Sequence, residues 1–384
     1  MKFKLLREVS GGPRVGSMIL GREECPTPGM LTSTPGGCVP NLTRETLELM
    51  QKSPFPLGIP YNAIIPETLE AYQRPMNDFM GLPEYPFILI LHEGSEAQRL
   101  GFFSKDSVSV WSTSGNRHTV RVEDYLRVVK ASQPDAFVAL SDSLTPQDST
   151  KKRLQKSVTK SLRFLSQILE HEGGDLPPLL VPLGGGYDSE LRTEYRKSVL
   201  EADQNRISGY VIEGFHTGGL ASTQSMSMGE ILPLMNLSLQ DLPQSKPRFM
   251  VGAFDPWKTL CLVESGVDVF ESSYPHLSAE RGEALSFDPS GMDSREDSLL
   301  DLNDVKYKNS FEPLVSNCSC YVCEHHTQAY VHHLLSTKEL LARVILMMHN
   351  LTHFRTFFKF IRQSIEADRF QDYKERMKKY SSDK

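Results

Sequence analysis

An α/β chain built as a (β/α)8 barrel, carrying a metal-binding module and C-terminal helices, is the predicted fold class, and three observations point there. Short apolar runs alternate with amphipathic stretches over most of 384 residues, an acidic, serine-rich shift interrupts that rhythm from Ser286, and Cys318, Cys320 and Cys323 cluster just beyond it. Hydrophobic residues at 39% and charged residues at 23% describe a soluble globular protein. The length suits one large barrel with an appendage.

From Met1 to about Thr43, glycine, proline and threonine surround short apolar pieces such as Ser17-Met18-Ile19-Leu20. A layer of strands and turns capping something larger is expected there, with Thr43 placed to cap a short helix. Strands are then expected at 57–60, 87–91, 136–140, 179–183, 209–212, 249–252 and 267–270, with helices at 122–132, 151–170, 190–200, 228–235 and 257–265. Buried runs alternating with helices predict a parallel sheet with helices outside. Seven or eight such units in about 250 residues favour closure into a barrel over an open sheet. No Gly-x-Gly-x-x-Gly follows the first strand, and Gly184-Gly185-Gly186 is a weak phosphate-loop signal.

Three parts are expected: 1–285 as the barrel with its N-terminal layer, 286–311 as an acidic flexible insertion, and 312–384 as the metal-binding subdomain with C-terminal helices. The insertion carries Asp288, Asp293, Glu296, Asp297, Asp301 and Asp304. Residues 328–377 read as helical throughout, with an apolar stripe from Leu334 to Ile361 wide enough to serve both core and interface. The apolar run at 87–91 is too short to span a bilayer, and the first seven residues lack the apolar core of a secretory signal.

Six cysteines, with Cys25, Cys38 and Cys261 scattered away from the cluster, suit a reducing compartment, and the cytoplasm is the expected location. A net charge of −6 argues against binding nucleic acid by bulk electrostatics. Local basic faces remain at Lys151, Lys152, Arg153, Lys156 and Lys160, and at Lys374, Arg376, Lys378 and Lys379, although solvated helix faces are the commoner reason for such runs.

Cys-x-Cys-x-x-Cys lets one tight turn aim three thiolates at a point, and a histidine on a packed helix would close a tetrahedral Cys3His shell, a common set for structural zinc. On spacing alone His325, His326, His332, His333, His349 and His353 compete for that fourth place. In a barrel, chemistry belongs to the C-terminal ends of the strands, here His92, Glu93, Asp142, Gly184 to Tyr187, Glu213, Gly218 to Ala221, Asp255 and Glu271. Carboxylates dominate, which suits base recognition or glycosyl chemistry, and composition does not choose between them.

Cys318-Ser319-Cys320-Tyr321-Val322-Cys323, then Gln328 to Leu335, Lys338-Glu339-Leu340-Leu341 and Met348-His349-Asn350, resemble the zinc subdomain of the tRNA-guanine transglycosylases, the queuine tRNA-ribosyltransferases. The resemblance implies one structural Zn2+ per subunit, held by Cys318, Cys320, Cys323 and His349. Gly266-Val267-Asp268-Val269-Phe270-Glu271 is similar to the family segment that ends in the nucleophilic aspartate, with Glu271 at that position. The family's following Cys-x-x-Pro-Thr-Arg keeps only Pro275 here. One added methylene moves a carboxylate by about an ångström, and in-line attack tolerates little misplacement.

The family's Asp-Ser-Gly-Gly-Phe-Gln, which supplies the acid/base aspartate, corresponds to His92-Glu93-Gly94-Ser95-Glu96-Ala97-Gln98, so Glu93 or His92 stands where proton work is done. Asp142 keeps a carboxylate for the purine edge, Leu183 replaces the base-contacting glutamine, and Gly218-Gly219-Leu220-Ala221 matches the loop that lines the base pocket. An intact metal shell beside a degenerate catalytic pair implies a non-catalytic member of the family. Such a member pairs with a catalytic paralogue in a heterodimer that exchanges guanine for queuine at the tRNA wobble position, and meets tRNA through that complex. Peripheral association with the mitochondrial outer membrane is implied by resemblance only. Two other readings stay open: an active transglycosylase with Glu271 as nucleophile, and a homodimer that binds queuine through Asp142 and the Gly218 loop.

Overall fold

The computed structural model describes residues 1–9, 12–50, 53–101, 104–112, 115–171, 175–292 and 297–381. Three strands, β1 (Lys2–Glu8), β2 (Arg14–Leu20) and β3 (Glu23–Thr27), form an antiparallel sheet. The barrel then runs in chain order. β4 (Gly29–Ser33) leads to α1 (Arg44–Met50), and β5 (Leu57–Pro60) to α2 (Pro66–Tyr72) and α3 (Met76–Phe79). β6 (Phe87–Ile90) is followed by a hairpin of β7 (Val108–Trp111) and β8 (Arg117–Val120) before α4 (Val122–Ser132). β9 (Ala136–Val138) precedes α5 (Lys151–Leu169), and β10 (Leu179–Leu183) precedes α6 (Ser189–Glu201). β11 (Ile207–Ile212) precedes α7 (Gly219–Gln224) and α8 (Met228–Leu239). Finally β12 (Arg248–Phe249) precedes α9 (Pro256–Glu264), and β13 (Val269–Glu271) precedes α10 (Ser273–Glu280).

The eight strands β4, β5, β6 and β9 to β13 close into a parallel barrel, so the expected class holds. The seam is β13 against β4, with Val269, Phe270 and Glu271 opposite Gly29, Met30 and Leu31. β4 lies inside the segment expected to be only a capping layer. Thr32 and Ser33 at its end, between Pro28 and Pro35, give it the composition of a turn, and only burial under a later helix makes it a core strand.

Alternation along each strand divides the core in two. Phe87, Leu89, Phe137, Val181 and Phe270 face the helices, whereas Ile88, Ile90, Val138, Leu180, Val211, Phe249 and Val269 fill the barrel interior. Met18, Leu20 and Cys25 of the N-terminal sheet join that interior set and close the end where the strands begin. The sheet is pinned by an ion pair with both side chains wholly buried: Arg14 donates to Asp268 at 3.1 and 3.0 Å, and the Arg248 backbone N–H donates to Asp268 at 2.8 Å.

Beyond the barrel, β14 (Glu283–Leu285) and β15 (Leu299–Asp301) pair as a hairpin, followed by α11 (Tyr321–His325), α12 (Gln328–Ser336), α13 (Leu341–Glu366) and α14 (Phe370–Met377). The acidic stretch therefore contributes a strand and a 3-10 turn at Val305–Asn309, while 293–296, with Asp293 and Glu296, lies outside the described residues. The expected continuous helix over 328–377 is instead three. Lys338 (φ 59°) and Asp368 (φ 59°) adopt the left-handed conformation that ends helices, which an apolar periodicity does not reveal. α13 lies across α10, β14 and the N-terminal sheet, and Arg355 donates to the Thr32 hydroxyl of β4 at 3.1 Å. No described helix is long and apolar enough to cross a membrane.

Candidate metal centre and barrel mouth

The Cys318 to Cys323 turn runs into α11, where the Cys320 sulfur caps the helix by accepting the Cys323 N–H at 3.4 Å. His349 reaches the turn from α13. Its Nδ1 lies 3.4 Å from the sulfurs of both Cys320 and Cys323, and the donor atoms of Cys318, Cys320, Cys323 and His349 all fall within 4.8 Å of one another. A tetrahedral ion with metal–sulfur bonds of ~2.3 Å and a metal–nitrogen bond of ~2.05 Å needs donor separations of ~3.6–3.8 Å, so the set fits Zn2+ in size and in its thiolate and imidazole chemistry.

The tautomer is fixed as well. His349 Nε2 sits 2.9 Å from the Leu285 carbonyl and therefore carries the proton, which leaves Nδ1 bare on the side of the sulfurs. Asn350 completes the clamp: its Oδ1 accepts the Leu285 N–H at 2.8 Å, and its Nδ2 donates to the Glu283 carbonyl at 2.9 Å. The competing histidines have other partners, and only His353 also reaches a ligand, Cys318. His353 Nε2 is 2.7 Å from the Phe287 carbonyl, His332 Nδ1 is 2.9 Å from the Leu302 carbonyl, and His325 and His326 stack on Tyr321 and Tyr330. His333 is not in the donor group either. The part played by Asn350 was missed by sequence reasoning, and its position beside His349 was the only signal for it.

At the barrel mouth, strand alternation turns Glu271 inward from the end of β13, where it is 1% exposed. The Gly94 N–H lies 3.5 Å from Glu271 Oε1, and a Cβ at Gly94 would stand 2.2 Å from Oε2 and 2.9 Å from the Gly252 Cα, so a side chain here would push Glu271 or the Gly252 backbone aside. Glu93 is buried beside it and accepts the Ser95 hydroxyl at 2.8 Å. Burial, reinforced by the Glu271 charge, pushes Glu93 up to about 7, and burial also raises Glu271. Glu213, which accepts the Ser141 hydroxyl, is likewise pushed up to about 7 by burial, and His92 and His216 are pushed down to about 4.

The loop from Glu93 to Gln98 is fastened over this cluster. Gln98 N–H donates to the Thr217 carbonyl at 2.7 Å, and Gly219 N–H to the Gly94 carbonyl at 2.9 Å. Gly218 (φ 83°) passes so close to Glu96 that a Cβ would sit 2.3 Å from its carbonyl oxygen. Gly218 and Gly219 thus hold the loop down, while Leu220 and Ala221 begin α7 beside it. The space left at the mouth is about 60 Å³, far below the ~300 Å³ at which small-molecule sites begin.

Asp142 instead lines an adjoining space of about 330 Å³ that shares His92, Ser143 and Leu144 with the first. Arg153 holds it at 2.7 and 3.0 Å and buried Lys160 at 3.0 Å, so a base seeking this carboxylate would have to displace two cations. Asp255 caps α9 by accepting the Lys258 N–H at 2.8 Å. In the Gly184 to Gly186 turn, Gly186 supplies its carbonyl to buried Arg192 at 2.6 Å, a structural duty. Geometry thus sets Glu93 and Glu213 on the wall of one space, Glu271 against Gly94 beside it, and Asp142 in the adjoining one.

A raised carboxyl has a measurable consequence. Glu93 contributes stability that is present below its ordinary value of 4.5 and lost as pH rises through about 7. Glu93→Gln is expected to raise the melting temperature at pH 8 by about 2–5 °C relative to wild type, and by much less at pH 5. Thermal scans of both proteins at the two pH values check this.

A family model described as "Queuine tRNA-ribosyltransferase" matches residues 9–382. Proteins named "Queuine tRNA-ribosyltransferase accessory subunit 2" are similar over nearly the full chain. The Drosophila grimshawi protein is 35% identical over 96% of this chain and 90% of its own length. That of Drosophila virilis is 35% identical over 97% and 91%, and that of Drosophila melanogaster 33% identical over 96% and 90%.

Proposed function

The chain belongs to the queuine tRNA-ribosyltransferase family, and from that premise we propose that it is the non-catalytic subunit of a two-subunit enzyme that exchanges guanine for queuine at the wobble position of tRNA. The observation that carries this reading is the loop from Glu93 to Gln98 fastened over Glu271. It leaves about 60 Å³ beside Glu93, and it puts two mutually repelling carboxyls where a nucleophile and its acid/base partner would work. A nucleophile held above its ordinary carboxylate range, with Gly94 against its oxygens, is poorly placed to attack ribose. The Asp142 ion pairs weigh against a queuine-binding homodimer.

In this reading Cys318, Cys320, Cys323 and His349 hold one structural Zn2+, which supplies cohesion rather than chemistry. The module around it presents a partner face. Phe311 at 76% and Leu340 at 75% exposure, with partly exposed Tyr321, Tyr330 and Leu341, are apolar side chains that this module leaves uncovered. The catalytic paralogue is the partner that the relatives' name implies, and tRNA is reached through the pair. The surface gives no support to the mitochondrial attachment that the resemblance suggested.

Base exchange into tRNA tests the proposal, with this chain alone, the catalytic paralogue alone, and both mixed. The expected result is no exchange by this chain and a mixture more active than the paralogue. Exchange by the isolated chain that is abolished by Glu271→Gln would overturn it in favour of an active transglycosylase.

A further inference from the structure

A cavity of about 530 Å³ opens at the far end of the barrel from the mouth, between α13 and the first residues of β4, β5 and β13. Its size falls in the range of small-molecule sites. One wall is a helix face: Arg355, Lys359 and Arg362, spaced four and three residues apart, lie on the same side of α13. The opposite walls are apolar, with Met30 and Phe55 prominent, and Arg355 lies over the Phe55 ring at 3.6 Å.

Three features of this cavity await an anion. Arg362 donates only to the Pro28 carbonyl, at 2.6 Å, and has no carboxylate within ion-pair distance among the described residues, although burial already lowers its hold on its proton. Lys359 likewise has no ion pair among the described residues. The Thr27 hydroxyl, on a residue 1% exposed, lines the cavity with no hydrogen-bond partner. An unsatisfied buried hydroxyl beside a buried guanidinium is costly unless something fills the gap.

The placement of charge narrows the occupant. Glu23 and Glu24 also line the cavity, Glu24 bonded to the Ser17 hydroxyl, and Glu366 acts on Arg362 from the next turn, so the cationic wall is confined to Arg362 and Lys359 and suits a single negative charge. We infer that this cavity binds a small organic monoanion, its charged group between Arg362, Lys359 and the Thr27 hydroxyl and its apolar body on Met30 and Phe55. A carboxylate and a phosphate diester share that chemistry. Nothing in the family reading requires this site, and it lies on the face of α13 that leads away from His349.

Isothermal titration of the full zinc-loaded chain with octanoate, dibutyl phosphate and neutral octanol tests it. Saturable one-to-one binding of at least one anion, with none for octanol, is expected, and the stronger anion identifies the source chemistry. Arg362→Gln should weaken that binding by about tenfold, as loss of a charge-assisted bond does. Lys359→Gln, at an exposed position that leaves folding intact, should weaken it by about threefold. Thr27→Val should weaken it without lowering the melting temperature. Equal binding of octanol and octanoate, absence of binding by both anions, or unchanged affinity in Lys359→Gln and Thr27→Val would overturn the inference.

Discussion

On the proposed function, replacing Cys320 with alanine is expected to abolish stoichiometric zinc and to release the C-terminal module from its partner while leaving the barrel folded. Structural zinc contributes on the order of 10 kcal/mol to small domains that depend on it, and a three-ligand remnant loses much of that. Cys320 has two duties: its sulfur faces His349 Nδ1 and also caps α11. Its loss removes a ligand and a helix cap together. What remains of α13 stays docked, because Phe354, Phe357, Phe358 and Ile361 are buried against the barrel and not against the turn. Zinc content by elemental analysis, limited proteolysis of the 312–327 stretch and co-purification with the catalytic paralogue would each report the change. Retained zinc and retained pairing in this variant would show that the module coheres without the metal.

Replacing Asp268 with alanine is expected to act on the whole molecule, lowering stability by about 3–5 kcal/mol and the melting temperature by about 10 °C. Asp268 receives Arg14 through two bonds and the Arg248 backbone through a third, and both it and Arg14 have no side-chain exposure. Desolvation still outweighs these partners and pushes Asp268 up to about 6. Removal of the carboxylate strands Arg14 beside Arg248, a second buried cation already pushed down to about 10 by burial and by Arg14. The double replacement Arg14→Met with Asp268→Leu should cost much less, since breaking a buried pair is dearer than removing it. Denaturant titrations of the single and double variants separate the two cases.

Much of the barrel was legible because fully buried strands are continuous apolar runs, and 57–60, 87–91 and 179–183 could hardly be anything else. β4 was not, since Thr32 and Ser33 owe their burial to Arg355 and Ser272, hundreds of residues later. The metal turn was legible in its spacing, but the choice of His349 over five neighbours came from resemblance. The structure supplies the physical reason in the Leu285 carbonyl, which no local pattern announces. Glu271 and Glu93 were placed at the mouth by strand ends alone. That the mouth is shut was not legible, because it depends on Gly94 meeting a side chain 177 positions away.

The bonds from α13 back to β4 also set an order of events during synthesis. Thr32 waits for Arg355 across 323 positions and Pro28 for Arg362 across 334, and the seam of the barrel waits for β13. A chain emerging from the ribosome can complete the seam only after Glu271 and its brace only after Arg362. Of the barrel strands, β4 therefore waits longest for its second neighbour.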